Sequence, residues 1–326
     1  MHVVTGATGH IGNVLVRELL SRGVEVRALI PPFDDTTSLE GVAVERVEGD
    51  ILAPGSLVAA FRGADVVYHL AGMVSILPGQ GQRLHRVNVE GTRNVVAACF
   101  EAGVPRLVYT SSVHALGVPP PGAVVDEGLG FDPQRAMGDY DRSKALATLE
   151  VLDGVGQGLD AVIVCPTGVI GPYDYRVSEM GQLLLDFARG RIRAYIEGAY
   201  DFVDVRDVAT GHVLAVERGR SGESYILSGE RVTVRDLMLL LEGELGVAAP
   251  RSRVPTLLAR FAAIFTPLYQ RLTGQRPLFT EYSIRTLSSD CIVNSEKARC
   301  ELGYHPRPIR ESIIDAIRWF RERGVL

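Results

Sequence analysis

An α/β fold, a doubly wound parallel sheet with a smaller C-terminal lobe, is the architecture this sequence predicts, and three observations carry it. The chain opens on a short apolar run, His2-Val3-Val4-Thr5, which meets three glycines, Gly6, Gly9 and Gly12, and then an amphipathic stretch ending near Arg22. Apolar β-rich stretches alternate with helical patterns through the first half. After Cys165 the alternation gives way to longer helical segments. Such alternation requires a sheet covered on both faces, because βαβ crossovers lay helices on each side of parallel strands.

Taken in order, residues 2–5 read as a strand, the glycines as a turn and the stretch to Arg22 as a helix. Further strands are expected at 24–30, 42–47, 65–69, 106–110 and 161–165, with helices at 54–61, 82–102 and 139–152. Asp139 is placed to cap the last of these. In the second half, helical patterns occupy 177–188, 234–245, 255–272 and 310–323. The expected division is residues 1–165 as the main sheet domain and 166–326 mainly as the smaller lobe, with some segments returning to the sheet.

Composition limits the function classes. The 326 residues, 46% of them hydrophobic, can bury a large core. A net charge of −5 and a pI near 5.9 leave no electrostatic footprint for nucleic acid, which is excluded as an expected partner. Cys99, Cys165, Cys291 and Cys300 show no metal-ligand spacing, so neither a disulfide nor a metal site is expected. No apolar run is long enough to span a bilayer and no targeting pattern opens the chain, so no transmembrane segment and a cytoplasmic location are expected. Repeats and low-complexity tracts that would suggest a scaffold are absent.

The chemistry sits at expected strand ends. A strand, a Gly-x-x-Gly-x-x-Gly turn and a helix together bring free backbone amides to an anion, so residues Gly6, Thr8, Gly9, His10, Ile11 and Gly12 read as a dinucleotide pyrophosphate site. Ligands of such sheets lie beyond the carboxyl ends of the strands. Gly49-Asp50-Ile51, Leu70-Ala71-Gly72 and Thr110-Ser111-Ser112 fall there. Tyr140 and Lys144 stand four residues apart on one helix face, where an ammonium beside a phenol favours phenolate and lowers a pKa that starts near ~10. A tyrosine tuned in this way exchanges a proton with a substrate oxygen.

These motifs, together with Asn88-Val89-Glu90-Gly91-Thr92-Arg93-Asn94, Pro166-Thr167-Gly168-Val169-Ile170-Gly171-Pro172 and Phe202-Val203-Asp204-Val205-Arg206-Asp207-Val208-Ala209, resemble the extended short-chain dehydrogenase/reductase superfamily over nearly the whole chain. This superfamily includes the NAD-dependent epimerase/dehydratase family, and the chain is most similar to its 3β-hydroxysteroid dehydrogenase and dihydroflavonol reductase-like branch. The resemblance implies a Rossmann-type fold with a C-terminal substrate lobe, and a catalytic set of Ser112, Tyr140 and Lys144. Ser112 would bond the substrate oxygen, with Ser111 as the alternative. Tyr140 would carry the proton, and Lys144 would tune it and hold the nicotinamide ribose. Asp50 and Ile51 would meet the adenine, Leu70, Ala71 and Gly72 the inner ribose or phosphates, and Pro166, Gly168 and Val169 the nicotinamide edge. Asn88 either orders a water near Lys144 or satisfies backbone within a helix. A homodimer built from helices 82–102 and 140–152 is also implied.

The cofactor is NAD or NADP. The acidic position that selects NAD is Ile30 and the neighbouring arginine position for NADP is Pro31, so neither determinant is present. Arg27 lies upstream and Asp34 and Asp35 downstream; the acidic pair favours NAD. For the substrate, nucleotide-sugar members carry an arginine and an asparagine after the sixth strand and a later Arg-Asp-Phe. Here Cys165, Gly168 and Ile170, then Tyr200-Asp201-Phe202, stand in those places. A diphosphate would lose its cationic partners, so the expected reaction interconverts a secondary alcohol and ketone on a small, largely uncharged substrate. The alternatives are a nucleotide-sugar epimerase or dehydratase using the same tyrosine, and a regulator that binds NAD(P) without turnover. Residues 254–272 read as a substrate-lobe helix packed on the core rather than a membrane-contact helix, and His114 and Pro119-Pro120-Pro121 as residues that shape the pocket.

Overall fold

The computed structural model describes residues 1–75, 77, 79–117, 123–264, 281–288 and 291–326. Pro119-Pro120-Pro121 and residues 265–272 of the expected lobe helix lie outside them. The first half runs β1 (His2–Thr5), α1 (His10–Ser21), β2 (Val26–Ile30), β3 (Glu45–Glu48), α2 (Pro54–Phe61), β4 (Val66–His69), α3 (Gly81–Leu84), α4 (Gly91–Ala102), β5 (Arg106–Thr110), the short β6 (Val124–Val125), α5 (Asp139–Gly156) and β7 (Ala161–Pro166). A π-helical segment, His85–Glu90, joins α3 to α4.

The second half contains β8 (Gly168–Ile170), α6 (Glu179–Ala188), β9 (Ala194–Tyr195), β10 (Ala199–Asp204), α7 (Val205–Arg218), β11 (Ser224–Leu227), β12 (Glu230–Thr233), α8 (Val234–Leu245), β13 (Ser252–Arg253), α9 (Thr256–Ile264), α10 (Glu281–Ser288), β14 (Ile292–Val293) and α11 (Ile309–Glu322). Seven parallel strands form one sheet in the order β11-β7-β5-β4-β1-β2-β3, a Rossmann-type α/β arrangement. The chain winds outward from β1 through β2 and β3, then returns to the other side of β1 as β4. Between β1 and β4 the winding direction reverses, which is where such sheets open a ligand crevice.

Two apolar layers cover the sheet. One joins Val14, Leu15 and Leu19 of α1 to Val205, Val208 and Val213 of α7, and the other joins Leu57 and Phe61 of α2 to Val95 of α4 and Val151 of α5. Leu15 and Leu57 are fully buried, and truncating either to alanine is expected to cost about 2–5 kcal/mol. A third cluster, with Leu184, Phe202, Leu241, Ile313 and Phe320, packs α6, α8 and α11 on the small sheet β12-β10-β8.

Several expected boundaries shift for local reasons. The strand expected at 42–47 begins at Glu45, because Val42 and Val44 are spent on turn hydrogen bonds. Asp139 is the first helical residue of α5 rather than its cap; Gly138 occupies the cap with no side-chain bond, and Asp139 and Asp141 instead place negative charge in the first turn. Of the stretch 254–272, Val254 and Ala259 pack in a small cluster with Ile196 and Ile284, while Leu257, Leu258 and Phe261 are 80%, 62% and 63% exposed. No helix among the described residues is long and apolar enough to cross a membrane.

Candidate active site

At the switch point the glycine turn of β1 meets the end of β4. Gly6 adopts a left-handed φ of 68°, and a Cβ there would stand 2.6 Å from the Ala71 nitrogen. A Cβ on Gly12 would collide with the Gly6 carbonyl, so both glycines are demanded by the fold. Gly9 differs, since a Cβ there would meet only the Gly6 oxygen, at 3.3 Å. Gly9 caps α1 without a side-chain bond, and the first turn of α1 carries no acidic residue. The amides of this first turn therefore meet no carboxylate from their own helix. These features fit a dinucleotide pyrophosphate, and the expected residues Thr8, His10 and Ile11 surround them. Of these, Thr8 donates its hydroxyl to Asp34 at 2.6 Å, and His10 donates Nε2–H to the Pro172 carbonyl at 2.9 Å.

Asp34 also takes Arg176 at 2.7 Å, so the loop after β2 is clasped to the segment after β8. Beside it Ile30, Phe33, Arg46 and Glu48 line an open hollow of about 580 Å³. Arg27 points elsewhere, bonded to the Ala60 carbonyl and paired with Glu45. Asp50 accepts the Leu52 amide at 2.9 Å, Ile51 is buried against Gly91, and its carbonyl accepts from Asn94 at 2.9 Å.

Neutral histidines fix the strand ends. The Thr92 hydroxyl donates to the Asn88 carbonyl and the Thr5 hydroxyl oxygen accepts the Ala71 amide. His69 therefore donates Nε2–H to Thr92 at 3.0 Å and accepts from Thr5 at Nδ1, 2.8 Å away. His212 on α7 donates Nδ1–H to the Val208 carbonyl, which leaves Nε2 to accept the Thr110 hydroxyl at 2.6 Å. Burial pushes His69 down to about 3 and His212 to about 4.

Asn88, within the π-helical segment, holds the chain after β4 against α5. Its Oδ1 accepts the Met73 amide at 2.7 Å, and its Nδ2 donates to the Met73 carbonyl and to Ser143 Oγ at 3.0 and 2.9 Å. A π-helical turn inside a longer helix is a frequent mark of functional sites.

Ser111 donates to Thr148 at 2.7 Å, since the Thr148 hydroxyl is itself committed to the Lys144 carbonyl. Ser112 turns the other way: its Oγ accepts the His114 amide at 3.2 Å and it shares a hydrogen bond with the Tyr140 hydroxyl. Lys144 is buried and donates to the Thr110 carbonyl at 2.6 Å and the Tyr109 hydroxyl at 3.2 Å; burial lowers it to about 8. The expected depression of Tyr140 by Lys144 is corrected by this geometry. Tyr140 is pushed up to about 12, first by burial and then by the Asp141 charge, and its bond to Ser112 only partly offsets them.

A cleft adjoins Tyr140, lined by Val113, His114, Leu116, Met137, Asp141, Thr167, Tyr200, Asp201 and Val293 among others, with no lysine or arginine among its described lining residues. Asp201 is held by Thr167 at 2.7 Å and the Gly229 amide at 3.0 Å. Gly168 and Val169 lie in β8 opposite Phe202 and Val203, and the Thr167 amide next to Pro166 bonds the Leu227 carbonyl. Gly72 faces the Asn88 amide, and the Leu70 amide bonds the Thr5 carbonyl at 3.3 Å.

The family model for the NAD dependent epimerase/dehydratase family matches residues 2–228, well over half of the chain. This chain belongs to that family. As an epimerase/dehydratase family member of the extended short-chain dehydrogenase/reductase superfamily, it is an NAD(P)-dependent oxidoreductase, with NAD or NADP as its cofactor. It is 42% identical to Sterol demethylase protein B of Methylococcus capsulatus over 326 residues, covering 99% of each chain. It is 32% identical to the 4-hydroxy-2-methyl-3-oxo-4-farnesyl-3,4-dihydroquinoline-1-oxide ketoreductase of Stigmatella aurantiaca, covering 97% of this chain and 95% of that one. The solved structure of gox2253 superposes with a TM-score of 0.88 at 36% identity, covering 99% of this chain and 98% of that one.

The family motifs made the glycine turn, Ser112, Tyr140 and Lys144 visible in sequence. The buried supports Thr148 and His212, and the clasp Arg176, carry no spacing signal. Nor does Tyr282, which approaches the site from a distant segment, whereas Tyr200 belongs to the Tyr200-Asp201-Phe202 stretch that the sequence sets at the substrate and does line the cleft.

Proposed function

We propose that this enzyme interconverts a secondary alcohol and a ketone on a small, largely uncharged, lipophilic substrate by Ser-Tyr-Lys chemistry, with NAD as the preferred cofactor. The observation that carries the substrate class is the cleft wall: two carboxylates, Asp141 and Asp201, and no described cation. A diphosphate there would be desolvated without a partner and repelled. The names of the sterol demethylase and prenylated-quinoline ketoreductase relatives support a lipophilic ring substrate.

The bound nicotinamide supplies or takes up the hydride. Residues 1–165 hold the dinucleotide, with the pyrophosphate at Gly9 and the α1 amides, and residues 166–326 mainly enclose the substrate. Asp34 is the acidic group for the adenosine ribose, which favours NAD. Asp50 and Ile51 border the adenine, Ala71 and Gly72 the inner ribose or phosphates, and Pro166, Gly168 and Val169 the nicotinamide edge. Ser112 donates to the substrate oxygen. Tyr140, protonated at neutral pH with its value near 12, gives its proton to that oxygen during reduction and recovers it during oxidation. Lys144 fixes the Thr110 strand end and holds the nicotinamide ribose. The proposed homodimer uses α4 and α5, which leave Phe100 and Leu149 exposed.

Reduction of 5α-cholestan-3-one with NADH and with NADPH, set beside UDP-glucose and dTDP-glucose, tests this reading. Saturable ketone reduction with preference for NADH is expected, with no interconversion of the sugar nucleotides. Tight binding and epimerisation of either sugar nucleotide would replace this reading with the epimerase one.

A further inference from the structure

Side chains from distant segments converge on the residue that follows Tyr140. Asp141, in the first turn of α5, is 1% exposed. Tyr282 of α10 donates its hydroxyl to Asp141 Oδ1 at 2.6 Å. The Tyr282 ring lies over Gly138, where a Cβ would stand 3.1 Å from the ring, so glycine at this cap leaves the clearance the ring needs. From the chain after β5, His114 Nδ1 stands 4.0 Å from the same Asp141 oxygen. The His114 ring is stacked on Tyr200 of β10, and its Nε2 lies 2.6 Å from the Tyr200 hydroxyl. Asp141 Oδ2 is buried with no hydrogen-bond partner among the described residues.

A carboxylate withdrawn from water is costly unless its partners are well placed. Here the hydroxyl at 2.6 Å comes from a segment 141 residues away, and it ends one residue from the proton-bearing tyrosine. We propose that Asp141 and Tyr282 form a latch by which the C-terminal segment fixes the first turn of α5 and thereby sets the direction of the Tyr140 hydroxyl. Both are positioning residues for proton transfer, and the latch rests on the reading of Tyr140 as the proton carrier. It explains why an acidic residue is buried beside a phenol whose ionisation it opposes. Asn88 holds the same helix from the side of β4 through Ser143, so α5 is fixed at Asp141 and Ser143 by two separate elements.

A double-mutant cycle on the full-length enzyme with NADH as the reductant tests the latch, with 5α-cholestan-3-one as the probe ketone. Tyr282→Phe keeps the ring over Gly138 and removes only the donor; Asp141→Leu removes the acceptor; Asp141→Asn keeps an acceptor. Tyr282→Phe and Asp141→Leu should each lower kcat by roughly tenfold or more, the scale of a small misplacement at a reacting group, while KM for the reduced cofactor stays at the parent value. The double variant should be no slower than the slower single one, because both lose the same interaction, and Asp141→Asn should keep most of the activity. Parent kcat in Tyr282→Phe, or losses that multiply in the double variant, would overturn the latch. Amide exchange in the NAD complex without ketone gives a second readout. Residues 139–144 should exchange faster in Tyr282→Phe while α4 is unchanged, and unaltered exchange would overturn the latch whether or not the probe ketone is reduced. Tyr140→Phe separates the two claims: if it keeps parent kcat, the proton-carrier reading fails, whereas an inactive Tyr140→Phe beside a fully active Tyr282→Phe removes only the latch.

Discussion

The nucleotide edge and the cleft that faces it are built from different materials. At the edge, Gly6, Gly9 and Gly12 and the amides of α1 make the proposed pyrophosphate site out of backbone, with neighbouring strand ends held by Thr5, His69 and Thr92. In the cleft, the same sheet supplies Ser112, but the lining is made of side chains, His114, Asp141, Tyr200 and Asp201 among them, with Tyr282 bonded to Asp141. Backbone sites accept any dinucleotide of the right shape, since every amide is alike. Side-chain walls choose by charge and size, so on the proposed reading the substrate is selected by the segments at 113–117, at 137–141 and in the second half.

This contrast predicts that substitutions at the edge divide into those the fold forbids and those only a ligand forbids. Gly12→Val should do the most damage, because its Cβ alone already overlaps the Gly6 carbonyl. Overpacking of this kind costs about 1–3 kcal/mol or more, and we expect little folded protein by circular dichroism. Lys144→Met should follow. It strips the Thr110 carbonyl of its donor and removes the cation near the ribose, so kcat/KM should fall by roughly 10²-fold while the thermal midpoint moves little. If cofactor KM and kcat both stay at parent values, Lys144 belongs to the scaffold alone.

Gly9→Val should spare the fold, because only one atom stands near its Cβ, yet weaken NAD binding by about tenfold or more, equivalent to ~1.4 kcal/mol. Calorimetry on the folded variant checks it; unchanged affinity would move the pyrophosphate away from this turn.

The smallest effect is one of acid sensitivity. His69 and His212 sit near 3 and 4 in the folded protein, below the ordinary value of 6.5. Between about pH 4 and 6.5 the unfolded chain therefore binds protons that the folded chain refuses. Stability should rise with pH across that window and be fully recovered above it. Urea midpoints at pH 4.5, 5.5 and 7 measure the slope, which His212→Gln should reduce. A flat profile would mean that these imidazoles are not held neutral by the fold.

Much of the edge was legible in the sequence because its determinants are local. A strand, three spaced glycines and a helix are contiguous, and the helical pattern at 54–61 and the apolar β-rich stretch at 106–110 coincide with α2 and β5 to the residue. The first turn of α5 was less legible. Asp139 looked like a cap, but Gly138 takes that position under the Tyr282 ring, a contact spanning 144 residues of chain that no local pattern reports. The ionisation of Tyr140 escapes local pattern for a similar reason. Helical spacing puts Lys144 on its face, yet the ammonium is drawn to the Thr110 carbonyl and Tyr109, and burial then dominates the phenol. Exposure of Leu257 and Leu258 was equally hidden, since an amphipathic pattern states that a face is apolar and leaves open what covers it.

In the proposed reaction Tyr140 carries the proton to an uncharged substrate. Stopped-flow measurement of NADH oxidation by Tyr140→Phe with 5α-cholestan-3-one, beside fluorescence titration of NADH binding, tests it most directly. The variant removes one hydroxyl and keeps the ring, so cofactor affinity should match the parent, while the rate of ketone reduction should fall by roughly 10²-fold or more. Normal cofactor affinity with ketone reduced at the parent rate would contradict the claim.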